Sequence, residues 1–261
     1  MIKKTYLLMI VCLIFLTACG LSLGESTSPM ETTLPEPSIP AEQTPPSTLP
    51  TDPEHTKLYI SGVETDEVIR YFNEVCLNAE FFNSGDPTVL QKWNIPIRYI
   101  IHGEPTVEDL NTLGCFAQWL NNLEGFPGIR ETTDPAEANL RLHFCTYEDL
   151  VILLGSQFHG MDGGVSFWYD EHNAINDAII CIRTDLDQTL RNSVILEELY
   201  NALGPIQDTA LRPDSIIYAE FSQPQQLTDV DELILKLLYS PELQCGMRDW
   251  ECETIIRKLY G

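Results

Sequence analysis

The chain has 261 residues, with 15 Lys and Arg against 39 Asp and Glu, and 44% of them are hydrophobic. That apolar fraction is normal for a globular protein, so disorder throughout is excluded. A formal charge of −24 excludes nucleic acid as a partner, because phosphate binding needs a Lys/Arg footprint. It equally excludes a polybasic patch on anionic lipid.

The N-terminus reads as a targeting signal over residues 1–18. Lys3 and Lys4 precede an apolar run from Leu7 to Leu16, the n-region and h-region of a secretory signal. That run is too short to cross the roughly 30 Å hydrocarbon core as a helix. The sequence Leu16-Thr17-Ala18-Cys19-Gly20 resembles the lipobox of bacterial lipoproteins. The resemblance implies cleavage before Cys19 and a lipid on its thiol, hence anchoring to the membrane through the N-terminal lipid.

Residues 19–56 read as a disordered tether. Eight prolines (Pro29, Pro35, Pro37, Pro40, Pro45, Pro46, Pro50 and Pro53) lie among Ser, Thr and Glu, with no Lys or Arg. Such a stretch cannot bury enough apolar surface to offset its ordering entropy. The expected address is the bacterial cell envelope, with the domain facing the extracytoplasmic side.

Residues 57–261 make one domain of ordinary size. Six of the 39 acids and two of the 15 bases lie before residue 57, which leaves −20 on the domain. Its acids are scattered, the usual pattern of a solvated face. Six cysteines (Cys76, Cys115, Cys145, Cys181, Cys245 and Cys252) allow up to three disulfides outside the cytoplasm. Closeness in sequence makes Cys245 and Cys252 the first candidate pair. No cysteine or histidine spacing fits a zinc site.

In chain order, Glu64 to Phe82 predicts an amphipathic helix with Val68, Ile69, Phe72, Val75 and Ala79 on one face. Ile95 to Ile101 predicts a strand. Thr106 to Leu123 predicts a helix with Val107, Leu110, Leu113 and Leu120 facing inward. Asn139 to Cys145 predicts a strand with Leu140, Leu142 and Phe144 on one side. A short helix near Tyr147 to Leu153 leads to the Gly-rich turn His159-Gly160-Met161-Asp162-Gly163-Gly164. Strands follow at Val165 to Tyr169, the expected sheet edge, and Ala178 to Arg183. A helix from Asp187 to Leu203 stops at Gly204-Pro205, and Thr228 to Tyr239 and Arg248 to Tyr260 complete the set as helices. The class is α+β: a mixed, twisted sheet of about four to five strands with helices packed on it and a helical C-terminus.

The chemistry centres on the helix that carries Glu197, Glu198 and Asn201 and on Gly204, Gln207 and Asp208 after it. This segment resembles the zincins of metzincin type, whose motif is HExxHxxGxxH or HExxHxxGxxD. In that pattern i and i+4 ligands share a helix face, the intervening Glu is general base, and the glycine turns the chain toward a third ligand. Glu197 and Asn201 stand at the two histidine positions, Glu198 at the base and Gly204 at the turn. Gln207 holds the third-ligand position, with Asp208 one residue later. Ser215-Ile216-Ile217-Tyr218 resembles the Met-turn, with Ile217 for methionine. The scaffold pattern is kept and the zinc ligands are not.

A closer resemblance is to the bacterial lipoprotein family termed domain of unknown function 2927. It is carried by Glu197-Glu198, Asn201, Gly204, Asp208, Asp214-Ser215-Ile216, Leu237-Leu238-Tyr239 and Gly246-Met247. It implies a metzincin-like domain and a lipoprotein address, and no established activity.

Three functions stay open. One is a non-catalytic domain that binds a peptide, protein or envelope component along its edge-strand cleft. The second is an active metallohydrolase, with Glu198 as base and Glu197, Asn201 and Asp208 as an all-oxygen set for Ca²⁺, Mg²⁺ or Mn²⁺. The third is a structural envelope protein acting through its acidic surface. For the glutamates the structural alternative is local hydrogen bonding, or pairing with Arg191 or Arg212. His159 with Asp162 is a further metal or acid–base candidate, with His172 expected near the same cleft. The four tryptophans are read as core.

Overall fold

A computed structural model describes residues 58–77 and 89–261. Cys19, the signal, the tether and the end of the first predicted helix (Asn78 to Phe82) lie outside the described residues. Among the described residues no helix is long and apolar enough to cross a membrane.

Among the described residues the domain is a mixed α/β structure with a six-stranded sheet and six α-helices. Its elements are α1 (Thr65–Leu77), β1 (Lys92–Trp93), β2 (Ile97–Gly103), α2 (Val107–Asn121), β3 (Ile129–Glu131), β4 (Leu140–Cys145), α3 (Tyr147–Leu154), β5 (Gly163–Tyr169), β6 (Ala174–Arg183), α4 (Gln188–Asn201), α5 (Asp229–Leu238) and α6 (Asp249–Leu259). The expected four to five strands become six because β1 and β3 are two and three residues long, too short for an alternating pattern to register.

Strands β3, β2, β4 and β6 run parallel in that order. Antiparallel β5 pairs with β6 along Ala178–Ile182, the same residues that β4 uses. A strand has two edges, so β4 and β5 lie on opposite sides of β6. Ile175 likewise pairs with both Trp93 of β1 and Tyr169 of β5, which puts β1 on the β4 side. Strand β5 therefore closes the sheet, and its outer edge pairs with no strand among the described residues.

Alternation decides what the sheet buries. Leu140, Leu142, Phe144, Ala178, Ile180 and Ile182 project into the main core beside Val194, Ile195 and Leu199 of α4. On the other face Leu150 and Leu154 of α3, with Phe158 of the turn that follows it, cover Cys181 and Ile179. Beside that patch His102 and His143 stack at 4.5 Å on adjacent strands.

Two expectations about helix α2 and the tryptophans are corrected. Val107 and Leu110 are 70% and 43% exposed, while Asp109 is fully buried. Asp109, Leu113, Phe116, Ala117 and Leu120 share the inner face, and the first turn of that face is polar because Arg191 of α4 meets it. Trp93 is core, but Trp168 and Trp250 are 49% and 62% exposed.

The cysteines are also corrected: all six described ones are free thiols. Cys252 points into the core, while the Cys245 thiol donates to the Lys92 carbonyl oxygen at 3.5 Å, so their side chains serve different neighbours.

Candidate functional site

Helix α4 carries the site, and its ends are closely specified. Asp187 caps it, accepting from Thr189 and Leu190 N–H at 3.0 and 3.1 Å. At the C-terminus, carbonyls left without helical partners are taken by Trp93 Nε1, which donates to Ala202 O at 2.8 Å, and Tyr239 OH, which donates to Leu203 O at 2.9 Å. Gly204 then takes φ 128°, and a side chain there would meet Gln91 O at 2.5 Å. Only glycine allows the chain to turn this close to the segment leading into β1.

That turn returns the chain toward the free side of β5. Glu197, Glu198, Asn201 and Asp208 line a single cleft of about 290 Å³, opposite Gly163–Phe167 of the edge strand. Gln157, Phe158, Met161 and Ile206 complete its walls. The Gly-rich turn serves this closeness: a Cβ on Gly163 would collide with Val194 and lie 2.9 Å from Glu198 Oε1. Gly163 and Gly164 are the first residues of β5 rather than part of the turn before it.

The electrostatics are unusual for neighbouring carboxyls. Burial, then the charges of Asp208 and Asp162, push Glu197 up to about 8. Burial, then Glu197 and Asp208, raise Glu198 well above the carboxylate range. No basic side chain among the described residues pairs with either glutamate. Arg191 is taken by Asp109 at 2.9 Å, and Arg212 by Glu67 and Asp214 at 3.0 and 2.8 Å. The expected alternative of pairing with Arg191 or Arg212 is thereby overturned. Asn201 is 8% exposed and its Oδ1 has no hydrogen-bond partner.

The structure does not join His159 to Asp162. His159 Nδ1 meets Tyr147 OH at 2.9 Å, while Asp162 accepts from Arg183 Nη1 at 2.8 Å. His172 follows β5 and His159 precedes it, so the two flank opposite ends of the strand. Among the described residues no three His, Cys, Asp or Glu side chains converge as a metal-holding group. The Glu197, Asn201 and Asp208 trio shares a cleft without forming a ready-made cage.

The remaining motif residues shape the scaffold. Ser215 Oγ donates to Asp231 Oδ1 at 2.7 Å and accepts from Tyr71 OH at 2.8 Å. Tyr218 pairs with Thr209, so the loop that carries Asp208 closes on itself. Asp214 holds Arg212. Gly246 N–H donates to Leu90 O and Leu90 N–H donates to Met247 O, both at 2.8 Å, tying the α5–α6 connection to the chain before β1.

A family model described as a protein of unknown function (DUF2927) matches residues 65–258, which includes every element of the cleft. No curated protein matches the chain.

Proposed function

The chain belongs to the DUF2927 family, and from that premise we propose that it is a lipid-anchored envelope protein whose metzincin-like domain binds an extended peptide without cleaving it. The observation that carries this reading is the free outer edge of β5 set against Glu197, Glu198, Asn201 and Asp208 across one cleft. An unpaired strand edge offers a row of backbone donors and acceptors, and an incoming segment adds to it as another strand. Phe167 and Val165 give the cleft apolar walls for alternate side chains of such a segment.

Several observations favour binding over hydrolysis. Metal-assisted hydrolysis needs a cation held by several protein ligands with a position open for water. The helix has Glu197 and Asn201 where the resembled pattern has histidines, and no three acidic, histidine or cysteine side chains converge among the described residues. Buried Glu198 with its raised pKa has the character of a general base or acid.

Hydrogen–deuterium exchange on the purified chain, with and without a panel of blocked seven-residue peptides, tests the reading. Binding by strand addition slows exchange at Gly163–Tyr169, and a peptide N-methylated at alternate amides fails to do so. Peptide cleavage that disappears in Glu198→Gln would replace this reading with the hydrolase. The anchor is tested separately: Cys19→Ser should move the protein from the membrane to the soluble fraction, and an unchanged distribution would remove the lipid from the proposal.

A further inference from the structure

We propose that the cleft selects its peptide by a primary ammonium group, seated on Glu197 and Glu198 with the Asn201 carboxamide oxygen as a third acceptor. This deepens the peptide-binding reading and rests on it.

Glu197 and Glu198 are adjacent on α4, both are lodged in the cleft, and no basic side chain among the described residues pairs with either. Carboxyls removed from water with no basic partner offset the lost hydration by taking up either a proton or a cation. Asn201 is more than nine-tenths buried, lines the same cleft, and leaves Oδ1 unpartnered. Leaving a buried acceptor orphaned is costly, and a ligand that brings a donor relieves that cost. A primary ammonium has three N–H donors and no acceptor, and so supplies both the charge and the missing donor.

The nearby cations on the protein are committed elsewhere. Arg183 of β6 donates to Asp162 and Asp185, at 2.8 Å each. Strand β5 contributes no titratable side chain to the cleft from Gly163 to Phe167. A bare divalent ion is the poorer match, because it needs several oxygens converging at about 2.0–2.6 Å, and no such group is formed among the described residues.

Protonation gives the proposal a signature. The groups facing the seat are Glu197 and Glu198 on α4, Asp208 on the loop after it, and Asp162 before β5 with Arg183 at its side; the Cys181 thiol of β6 is turned to the α3 face but lies within electrostatic range of Glu198. Burial holds the Glu197 carboxyl protonated below about pH 8 and pushes Glu198 up as well, and an ammonium favours their charged form. Binding then releases a proton, and affinity rises as pH rises toward 8, by up to about tenfold per pH unit for one proton.

Three blocked seven-residue Ala/Ser/Thr peptides separate the outcomes, with calorimetry on the full chain at pH 6 and pH 8. One has lysine at its centre, the second norleucine, and the third norleucine with a free amino terminus. A lysine side chain as ligand makes the first bind at least tenfold more tightly. An amino terminus as ligand gives that advantage to the third. Either preference should vanish in Glu197→Gln/Glu198→Gln and grow with pH. Equal affinity of all three, with β5 still protected, overturns the ammonium seat and leaves peptide binding standing. Absence of any binding and of β5 protection overturns both. Stoichiometric Ca²⁺ or Mn²⁺ that blocks the lysine peptide replaces the ammonium by a metal.

Discussion

Arg191 Nε donates to Asp109 Oδ1 at 2.9 Å with both side chains buried, joining the first turn of α4 to the first turn of α2. The pair is well satisfied. Asp109 also accepts from Gln188 Nε2 at 2.7 Å and Thr106 N–H at 2.8 Å, and Arg191 Nη1 donates to Thr184 O at 2.9 Å. The contact sets the level of α4, and with it the height of Glu197 and Glu198 in the cleft.

Asp109→Ala should therefore destabilise the domain by about 3–5 kcal/mol, because it leaves the Arg191 charge buried and uncompensated. Burial alone would raise the Asp109 carboxyl, but the donors Thr106, Gln188 and Arg191 outweigh it and hold it below its ordinary value. A depressed folded pKa stabilises above the unfolded value and is lost as pH falls through the folded one. Asp109→Asn should accordingly flatten the acid limb of stability below about pH 4. Urea unfolding of both variants from pH 3 to pH 7 checks this; a loss under about 1 kcal/mol in Asp109→Ala would contradict it.

Glu197 carries the opposite sign. Its folded pKa is raised to about 8, chiefly by burial and then by Asp208 and Asp162. The folded state holds a proton that the unfolded state has released, so stability falls as pH rises from about 4.3 toward 8. Glu197→Gln should leave the melting temperature nearly unchanged at pH 4.5. At pH 8.5 it should raise it by about 3–6 °C, the shift expected of 1–2 kcal/mol in a domain this size. A melting temperature that falls at pH 8.5 would show Glu197 to be paired in solution.

Glycines at two positions should respond to alanine with opposite signs. At Gly163 a methyl meets Val194 and Glu198, whereas at Gly114, within α2, it meets nothing within 4 Å. Gly163→Ala should cost about 1–3 kcal/mol through overpacking and weaken peptide binding by widening the gap between β5 and α4. Gly114→Ala should stabilise by about 0.5–1 kcal/mol, through helix propensity alone. Chemical denaturation of the two variants side by side is the measurement, and equal destabilisation would contradict the packing at Gly163.

How much of this was legible in the sequence follows from the range of each interaction. Strand β4 was legible because Leu140, Leu142 and Phe144 alternate, and α4 because Asp187 caps it and Gly204-Pro205 ends it. Their determinants lie within a few residues of one another. The inner face of α2 was misread for the converse reason. Val107 and Leu110 continue an apolar period, but the place they would take belongs to Asp109, whose partner Arg191 is 82 residues away. Glu197, Glu198, Asn201 and Asp208 were singled out by the resemblance of their spacing to a metal-ligand pattern, and the structure brings all four to one cleft. Gln157, Phe158 and Ile206 were missed, since nothing local marks a wall that the far side of a sheet edge provides. The edge was expected at Val165 to Tyr169, and β5 pairs with β6 alone among the described strands.

The loop that presents Asp208 rests on Ser215, and this yields a final expectation. Ser215 Oγ donates to Asp231 at 2.7 Å, accepts from Tyr71 OH at 2.8 Å, and accepts from Ile217 N–H at 3.2 Å. Ile217 O in turn accepts from Thr209 N–H at 2.9 Å, one residue beyond Asp208. Asp231 is buried and its carboxyl is raised by that burial, against the donors Ser215, Thr228 and Ile216. Ser215→Ala removes one donor from Asp231 and strands the Tyr71 hydroxyl, at an expected cost of about 1–3 kcal/mol. The damage should be directional: amides from Thr209 to Ala219 should exchange faster, while β4 and β6 hold their protection. Tyr71→Phe made together with Ser215→Ala should recover part of the loss, because it deletes the stranded hydroxyl. A double variant no more stable than Ser215→Ala alone would mean that Tyr71 finds another partner.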